Sequence, residues 1–367
     1  MDRDQILLTP GPLTTTLRTK KAMLKDWGSW DADFNQITKR IRSQLLSIIH
    51  GHDDYVVVPM QGSGTFSVEA AVNSVLPPNG HLLVLDNGAY CKRMATLTNK
   101  MGRKATLLSF NEREPVSPDA LKKALISDAS ITHVGLIHCE TGAGVLNPLK
   151  EISDICKEFN VGLIIDAMSS FGALPIAARD IQFDALISAS GKCLESVPGM
   201  GFIFIRKAIL ESMQGNSQSL SLDLYDQYQY MEKTGQWRFT PPTHVVAALA
   251  EALNQFEEEG GQPARLARYK DNCKTLVNGL AKIGLEPFLD EENITPIIVT
   301  FLAPKYDQYD FKSFYNAVKE EGFILYPGKL TEIETFRVGC IGAINHKEMR
   351  QVVASMKYVL EQMAVVK

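Results

Sequence analysis

The sequence predicts an α/β fold: a mostly parallel sheet with helices on both faces, followed by a smaller α+β C-terminal domain. Three observations carry this. Between residues 55 and 205, short apolar runs alternate with longer amphipathic stretches, as in repeated strand–helix–strand units. After Asn216 that alternation stops. Finally, the apolar run 162–165 ends in Asp166, and a second one ends in a small-residue turn that carries Lys192, 26 residues later.

The elements follow in order. Tyr55-Val56-Val57-Val58-Pro59 reads as a strand and 65–76 as a helix. The run 81–85 is the next strand, with a helix starting near Ala89. Then come a strand over 105–108, a helix over 118–126 and a strand over 133–138. The stretch 149–159 is helical, with Ile152, Ile155 and Phe159 on one face. Strands are expected at 162–165, 185–188 and 201–205; the last arrives after a short loop and is expected to lie antiparallel at one side of the sheet. Residues 217–243 are polar and aromatic with little periodicity, long for a plain loop and so a candidate functional segment. A helix over 245–259 ends at Gly260-Gly261. The remainder reads as helix, strand (297–301), helix (311–321), strands (323–326 and 335–338) and a final helix. We expect a large domain over 15–258 and a small one over 259–367, with an N-terminal arm, 1–14, packing at the active site and small domain.

Bulk properties narrow the function classes. Hydrophobic residues make up 45% of the 367, enough for a large core. The net charge of -4 offers no basic field for nucleic acid. No apolar run reaches the roughly 18 residues of a membrane span, and the acidic start, Met1-Asp2-Arg3-Asp4-Gln5, does not read as a secretory signal. The six cysteines form no C-x-x-C pair, which points to reduced thiols in the cytoplasm. No metal is expected, because His50-Gly51-His52-Asp53-Asp54 lacks a ligand spacing suited to helix or strand.

The candidate site lies at the strand ends. Gln61-Gly62-Ser63-Gly64-Thr65 joins a strand to a helix. Its glycines admit a close anion, Ser63 and Thr65 offer hydroxyls, and the helix start offers unpaired N–H groups. It lacks the third glycine of a dinucleotide loop and the Gly-Lys-Thr ending of a P-loop. Tyr90, in Asn87-Gly88-Ala89-Tyr90, can lay its ring on a flat heterocycle. Thr141 follows another strand, in His138-Cys139-Glu140-Thr141-Gly142. Asp166 sits at the core edge, where an unpaired charge is costly. Lys192 beyond a buried strand should feel desolvation, which frees its amine as a nucleophile. A carboxylate and an amine at neighbouring strand ends suit pyridoxal phosphate, the lysine forming the Schiff base and the aspartate keeping the ring nitrogen protonated. In the second domain Arg337 points away from its neighbours Phe336 and Val338, and its planar fork suits a carboxylate or phosphonate.

With these residues in view, nearly the whole chain resembles the class-V branch of the fold-type I pyridoxal-phosphate-dependent aminotransferases. The marks include Leu7-Leu8-Thr9-Pro10-Gly11-Pro12-Leu13, the Gln61, Asn87 and Lys192 segments, Trp237-Arg238-Phe239-Thr240-Pro241, Tyr326-Pro327-Gly328-Lys329 and Phe336-Arg337-Val338-Gly339. The runs Asp166-Ala167-Met168-Ser169-Ser170-Phe171-Gly172 and Ser219-Leu220-Ser221-Leu222-Asp223-Leu224-Tyr225 are similar to the enzymes that act on 2-aminoethylphosphonate and pyruvate. The resemblance implies a ping-pong transaminase of phosphonate catabolism. In it Lys192 is catalytic, and Ser63, Gly64, Thr65, Tyr90, Thr141, Asp166 and Met168 bind the cofactor. Thr240 and Trp237 would reach the cofactor phosphate from the other subunit of a homodimer, and Arg337 would bind the substrate's acidic group. One departure stands out: Gly191 occupies the place where relatives often carry a polar side chain before the lysine. Two competing expectations are an alanine- or serine–glyoxylate transaminase of the same branch, and a desulfurase or lyase using Cys340. A non-enzyme, either a cofactor-binding regulator or a structural domain, is a third.

Overall fold

The apolar runs of the first two hundred residues pair into one seven-stranded sheet in the computed structural model, which describes residues 4–306, 309–328 and 333–363. In chain order the elements are β1 (Ile6–Leu7), α1 (Leu17–Lys21), α2 (Ala32–Ile48), β2 (Tyr55–Gln61), α3 (Gly64–Val75), β3 (His81–Asp86), α4 (Ala89–Lys100) and β4 (Lys104–Ser109). They continue with α5 (Pro118–Ser127), β5 (His133–Ile137), the short ribbon β6 (Cys139–Glu140) and β7 (Val145–Leu146), α6 (Leu149–Glu158), β8 (Gly162–Asp166), β9 (Ala185–Ala189) and β10 (Met200–Arg206). After these come α7 (Leu224–Thr234), α8 (Thr243–Glu259), α9 (Gly261–Ala281), β11 (Ile298–Leu302), α10 (Phe311–Glu320), β12 (Phe323–Ile324), β13 (Tyr326–Pro327), β14 (Thr335–Gly339) and α11 (His346–Gln362).

The sheet order is β2-β10-β9-β8-β5-β3-β4. The strand β10 is antiparallel to both neighbours and lies one place in from the edge, with β2 outside it. This corrects the expectation that it closes one side. Strands buried on both faces read as continuous apolar runs, and β3, β8 and β9 do so because helices cover both sides. One core packs under α2, α5, α6 and α8, and a second packs under α3 and α4. At Gly201 a Cβ would stand 1.9 Å from Ser67 Oγ, so glycine there lets α3 settle close on the sheet. That draws the start of α3 towards the ends of β8 and β9.

Two helices lie where the sequence pattern is uninformative. The helix α2 is capped by Asp31, whose side chain accepts from the Asp33 N–H, and buries Phe34, Thr38, Ile41 and Leu45. Within the supposed loop 217–243, α7 is capped by Asp223 and ended by Gly235 in the left-handed region. Its sequence, LYDQYQYMEKT, is too polar to show a clear stripe.

A three-stranded antiparallel sheet, β11-β14-β13, carries the C-terminal part. The strand expected over 323–326 divides in two. Its first half, β12, pairs in parallel with β1, and β13 joins β14. Ile6 and Leu8 thereby enter the core built from α9, α10, α11 and this sheet. Among the described residues no helix is long and apolar enough to cross a membrane.

Candidate active site

The carboxyl ends of β2, β3, β5, β8 and β9 open onto one cleft of about 210 Å³. Ser63, Thr65, Tyr90, Thr141, Asp166 and Lys192 all line it, with Gly64 and Met168 beside them. The chain thus brings together eight of the residues singled out from sequence, each from a turn that follows a strand.

Lys192 and Asp166 form the chemical centre. The Lys192 Nζ donates to the Pro10 carbonyl at 3.0 Å. Burial pulls its pKa down, while the Asp166 charge opposes that. Gly11, at φ +125°, makes this contact possible, since a Cβ there would meet Nζ at 2.3 Å. Asp166 accepts the Met168 N–H through Oδ1 at 2.9 Å, and Oδ2 has no hydrogen-bond partner among the described residues. Burial pushes the Asp166 carboxyl up to about 6, with the Met168 N–H pulling the other way.

At the far end of the cleft Ser63 is the N-cap of α3, yet its hydroxyl caps no N–H. The first-turn N–H groups and that hydroxyl are open to an anion. Met168 closes against Gly64, where a Cβ would stand 2.5 Å from its Cε. The backbone N–H of Tyr90 donates to Glu140 Oε2 at 3.0 Å, and the Gly142 N–H donates to Oε1 of the same buried carboxylate at 3.0 Å. Glu140 therefore ties the wall that carries Thr141 to the start of α4. The cleft fits pyridoxal phosphate on these grounds: a carboxylate with a free oxygen, an amine held towards neutrality, and an uncapped helix start for the phosphate.

Three expected site residues lie outside the cleft. The Trp237 indole N–H donates to Thr38 Oγ1 at 3.1 Å inside the core of its own chain, which engages the side chain's one donor. Thr240 is exposed and is not among the described residues that line the cleft of its own chain. Arg337 is buried just behind the wall: Nε donates to the Pro327 carbonyl at 2.9 Å and Nη1 to the Thr141 carbonyl at 2.7 Å. Burial lowers its pKa. Lys329, part of the motif beside it, lies outside the described residues.

Sequence reading passed over two features. Arg93 lines the cleft one helical turn after Tyr90, a spacing that places both on one face of α4. Glu195 locks the turn that carries Lys192. It holds a left-handed backbone (φ 58°), which is uncommon for such a residue. Its N–H donates to the Lys192 carbonyl at 2.7 Å, and its carboxylate accepts from Arg268 at 2.8 Å and from the Tyr269 hydroxyl at 2.5 Å. Arg265 adds a bond to the Cys193 carbonyl at 2.5 Å. No signal in the sequence joins these residues, because α9 meets the turn only in the fold. Cys340 is fully buried, with its sulfur against the Val338 carbonyl and Cys273, and is no exposed sulfur carrier.

Comparison with known proteins agrees with this geometry. The aminotransferase class-V family profile matches residues 20–328. A protein of Polaromonas sp., named 2-aminoethylphosphonate–pyruvate transaminase 2, is 67% identical over 365 residues, which is 100% of this chain and 98% of the relative. One from Cupriavidus necator, named 2-aminoethylphosphonate–pyruvate transaminase, is 59% identical, covering 99% and 96%. Among solved structures, alanine–glyoxylate aminotransferase from Nostoc sp. superposes with a TM-score of 0.90 at 25% identity, covering 98% of this chain and 96% of that one. Pyridoxamine–pyruvate aminotransferase from Mesorhizobium loti shares the fold with a TM-score of 0.89 at 21% identity, covering 99% and 93%.

Proposed function

The chain belongs to the class-V aminotransferases, and from that premise we propose that it moves the amino group of 2-aminoethylphosphonate to pyruvate, giving phosphonoacetaldehyde and L-alanine. The observation that carries the substrate assignment is the end-to-end match to relatives bearing that activity in their names. The cofactor is pyridoxal phosphate, which supplies an aldehyde for the amino group and an electron-poor ring that stabilises negative charge on the reacting carbon.

The residues of the chain do the rest. Lys192 would hold the cofactor and then, as a free amine, would take the proton from the substrate's amine-bearing carbon onto Nζ and deliver it to the cofactor's former aldehyde carbon, a general acid–base step. Burial favours the neutral amine that this step needs. The free Oδ2 of Asp166 would accept from the ring nitrogen and favour its protonated form. Ser63, Gly64 and Thr65 would hold the phosphate, and Tyr90 and Thr141 would bind the ring. Arg337 receives the acidic group of either substrate, with Nη2 left over after its two backbone bonds. Replacing it by alanine is expected to raise KM for both substrates by roughly 10–100-fold, the range for lost charge-assisted hydrogen bonds. Unchanged KM for both would remove Arg337 from the site.

We also propose a cytoplasmic homodimer with shared active sites. The support is that Thr240 and Phe239 are exposed on one chain, as are Leu24 and Trp30. All six thiols are free, in keeping with a reducing compartment. The test of the reaction is the visible spectrum of the purified protein. 2-Aminoethylphosphonate without pyruvate should bleach the yellow colour, and pyruvate should restore it. A protein bleached by L-alanine or L-serine but not by 2-aminoethylphosphonate would transfer the reading to the glyoxylate-using branch.

A further inference from the structure

Arg93 has an unusual setting for an exposed arginine. It pairs with no carboxylate among the described residues. Its guanidinium instead stands 4.9 Å from the centre of the Tyr90 ring, and Nη1 donates to Thr65 Oγ1 at 3.3 Å. Thr65 belongs to the uncapped first turn of α3. The charge of Arg93 is also felt by Asp166, on the inner wall of the cleft.

The charge balance of the cleft makes this placement informative. A phosphate monoester brings nearly two negative charges. A helix start offers only about half a positive charge. Among the described residues, Arg93 and Lys192 are the only cationic side chains lining the cleft, and burial disfavours charge on Lys192. The position before the lysine adds nothing, because it is Gly191. A Cβ there would meet Pro198 N at 3.0 Å and Pro198 Cα at 3.1 Å, so the turn has closed over the place of a side chain. We propose that Arg93 is a phosphate-binding residue of this site, supplying from α4 the full positive charge that the turn before Lys192 does not. Its planar fork suits two phosphate oxygens, and its stacking on Tyr90 sets the fork's direction.

This rests on the cofactor reading, and the test separates the two. The cofactor-free protein is titrated with pyridoxal phosphate and, separately, with pyridoxal, which lacks the phosphate. Arg93→Gln should weaken pyridoxal phosphate at least about tenfold, as for loss of a charged hydrogen-bond donor. It should leave pyridoxal within about twofold. Arg93→Lys, which keeps the charge and loses the fork, should recover part of the loss. Inorganic phosphate should compete with pyridoxal phosphate less well in Arg93→Gln than in the unsubstituted protein. Equal weakening of both ligands would make Arg93 a support for the Tyr90 ring and overturn the proposal. Unchanged cofactor affinity with a raised KM for 2-aminoethylphosphonate would overturn it too, assigning Arg93 to the substrate. If the unsubstituted protein takes up neither ligand, the cofactor reading itself fails.

Discussion

Lys192→Ala should lower turnover of 2-aminoethylphosphonate with pyruvate by at least about 10⁴-fold, the scale of a general acid–base residue that is also the covalent anchor. The fold should survive. Among the described residues the amine's one hydrogen bond is to the Pro10 carbonyl, and losing a bond of that kind costs about 1 kcal/mol. The turn itself is held by other groups: the Glu195 N–H on the Lys192 carbonyl and Arg265 on the Cys193 carbonyl. An unshifted thermal melt with abolished turnover therefore isolates the chemistry. Lys192→Arg should be equally inactive although it is long and basic, because a guanidinium cannot give up its proton in a protein. Turnover near normal in either variant would show that another group moves the proton.

The parts legible from sequence were those that are local in the chain. Each of Ser63, Tyr90, Thr141, Asp166 and Lys192 follows an apolar run, so its place at a strand end can be read without knowing the rest of the fold. The parallel order then brings those ends together. Strand order is not local, and β10 was misplaced by one position for that reason. Trp237 shows the same limit: nothing in its polar aromatic stretch signals that its indole N–H meets Thr38, 199 residues away. Arg93 was hidden differently. Its spacing from Tyr90 was visible, but which face of α4 meets the cleft is settled only by the tertiary packing. The Glu195 cluster joins a turn to a helix about seventy residues on, a pairing that no period in the sequence encodes.

Asp166→Asn should have opposite consequences for activity and for the stability of the cofactor-free protein. Removing one partner of a buried charge pair costs about 3–5 kcal/mol, so turnover should fall by roughly 10²–10⁴-fold if Asp166 keeps the ring nitrogen protonated. In the cofactor-free protein the same carboxylate has no cation directly against it. Its carboxyl is raised from 3.8 to about 6, chiefly by burial. The folded state thus holds the proton more tightly than the unfolded chain, and stability falls as pH rises between those two values. Below the lower value the penalty is absent; above the upper one it is complete, at about 3 kcal/mol. For a chain of this size that corresponds to about 4 °C in Tm. Asparagine keeps an oxygen for the Met168 N–H and carries no charge. The cofactor-free variant should therefore melt higher than the unsubstituted protein at mildly alkaline pH, and the gap should close as pH falls from about 6 towards 4. Loading both with pyridoxal phosphate should reverse the order, because the ring nitrogen then supplies the positive partner. A variant that melts lower than the unsubstituted protein without cofactor at every pH would mean that Asp166 is a structural cap for the turn at Met168. Unchanged turnover would deny it the ring nitrogen.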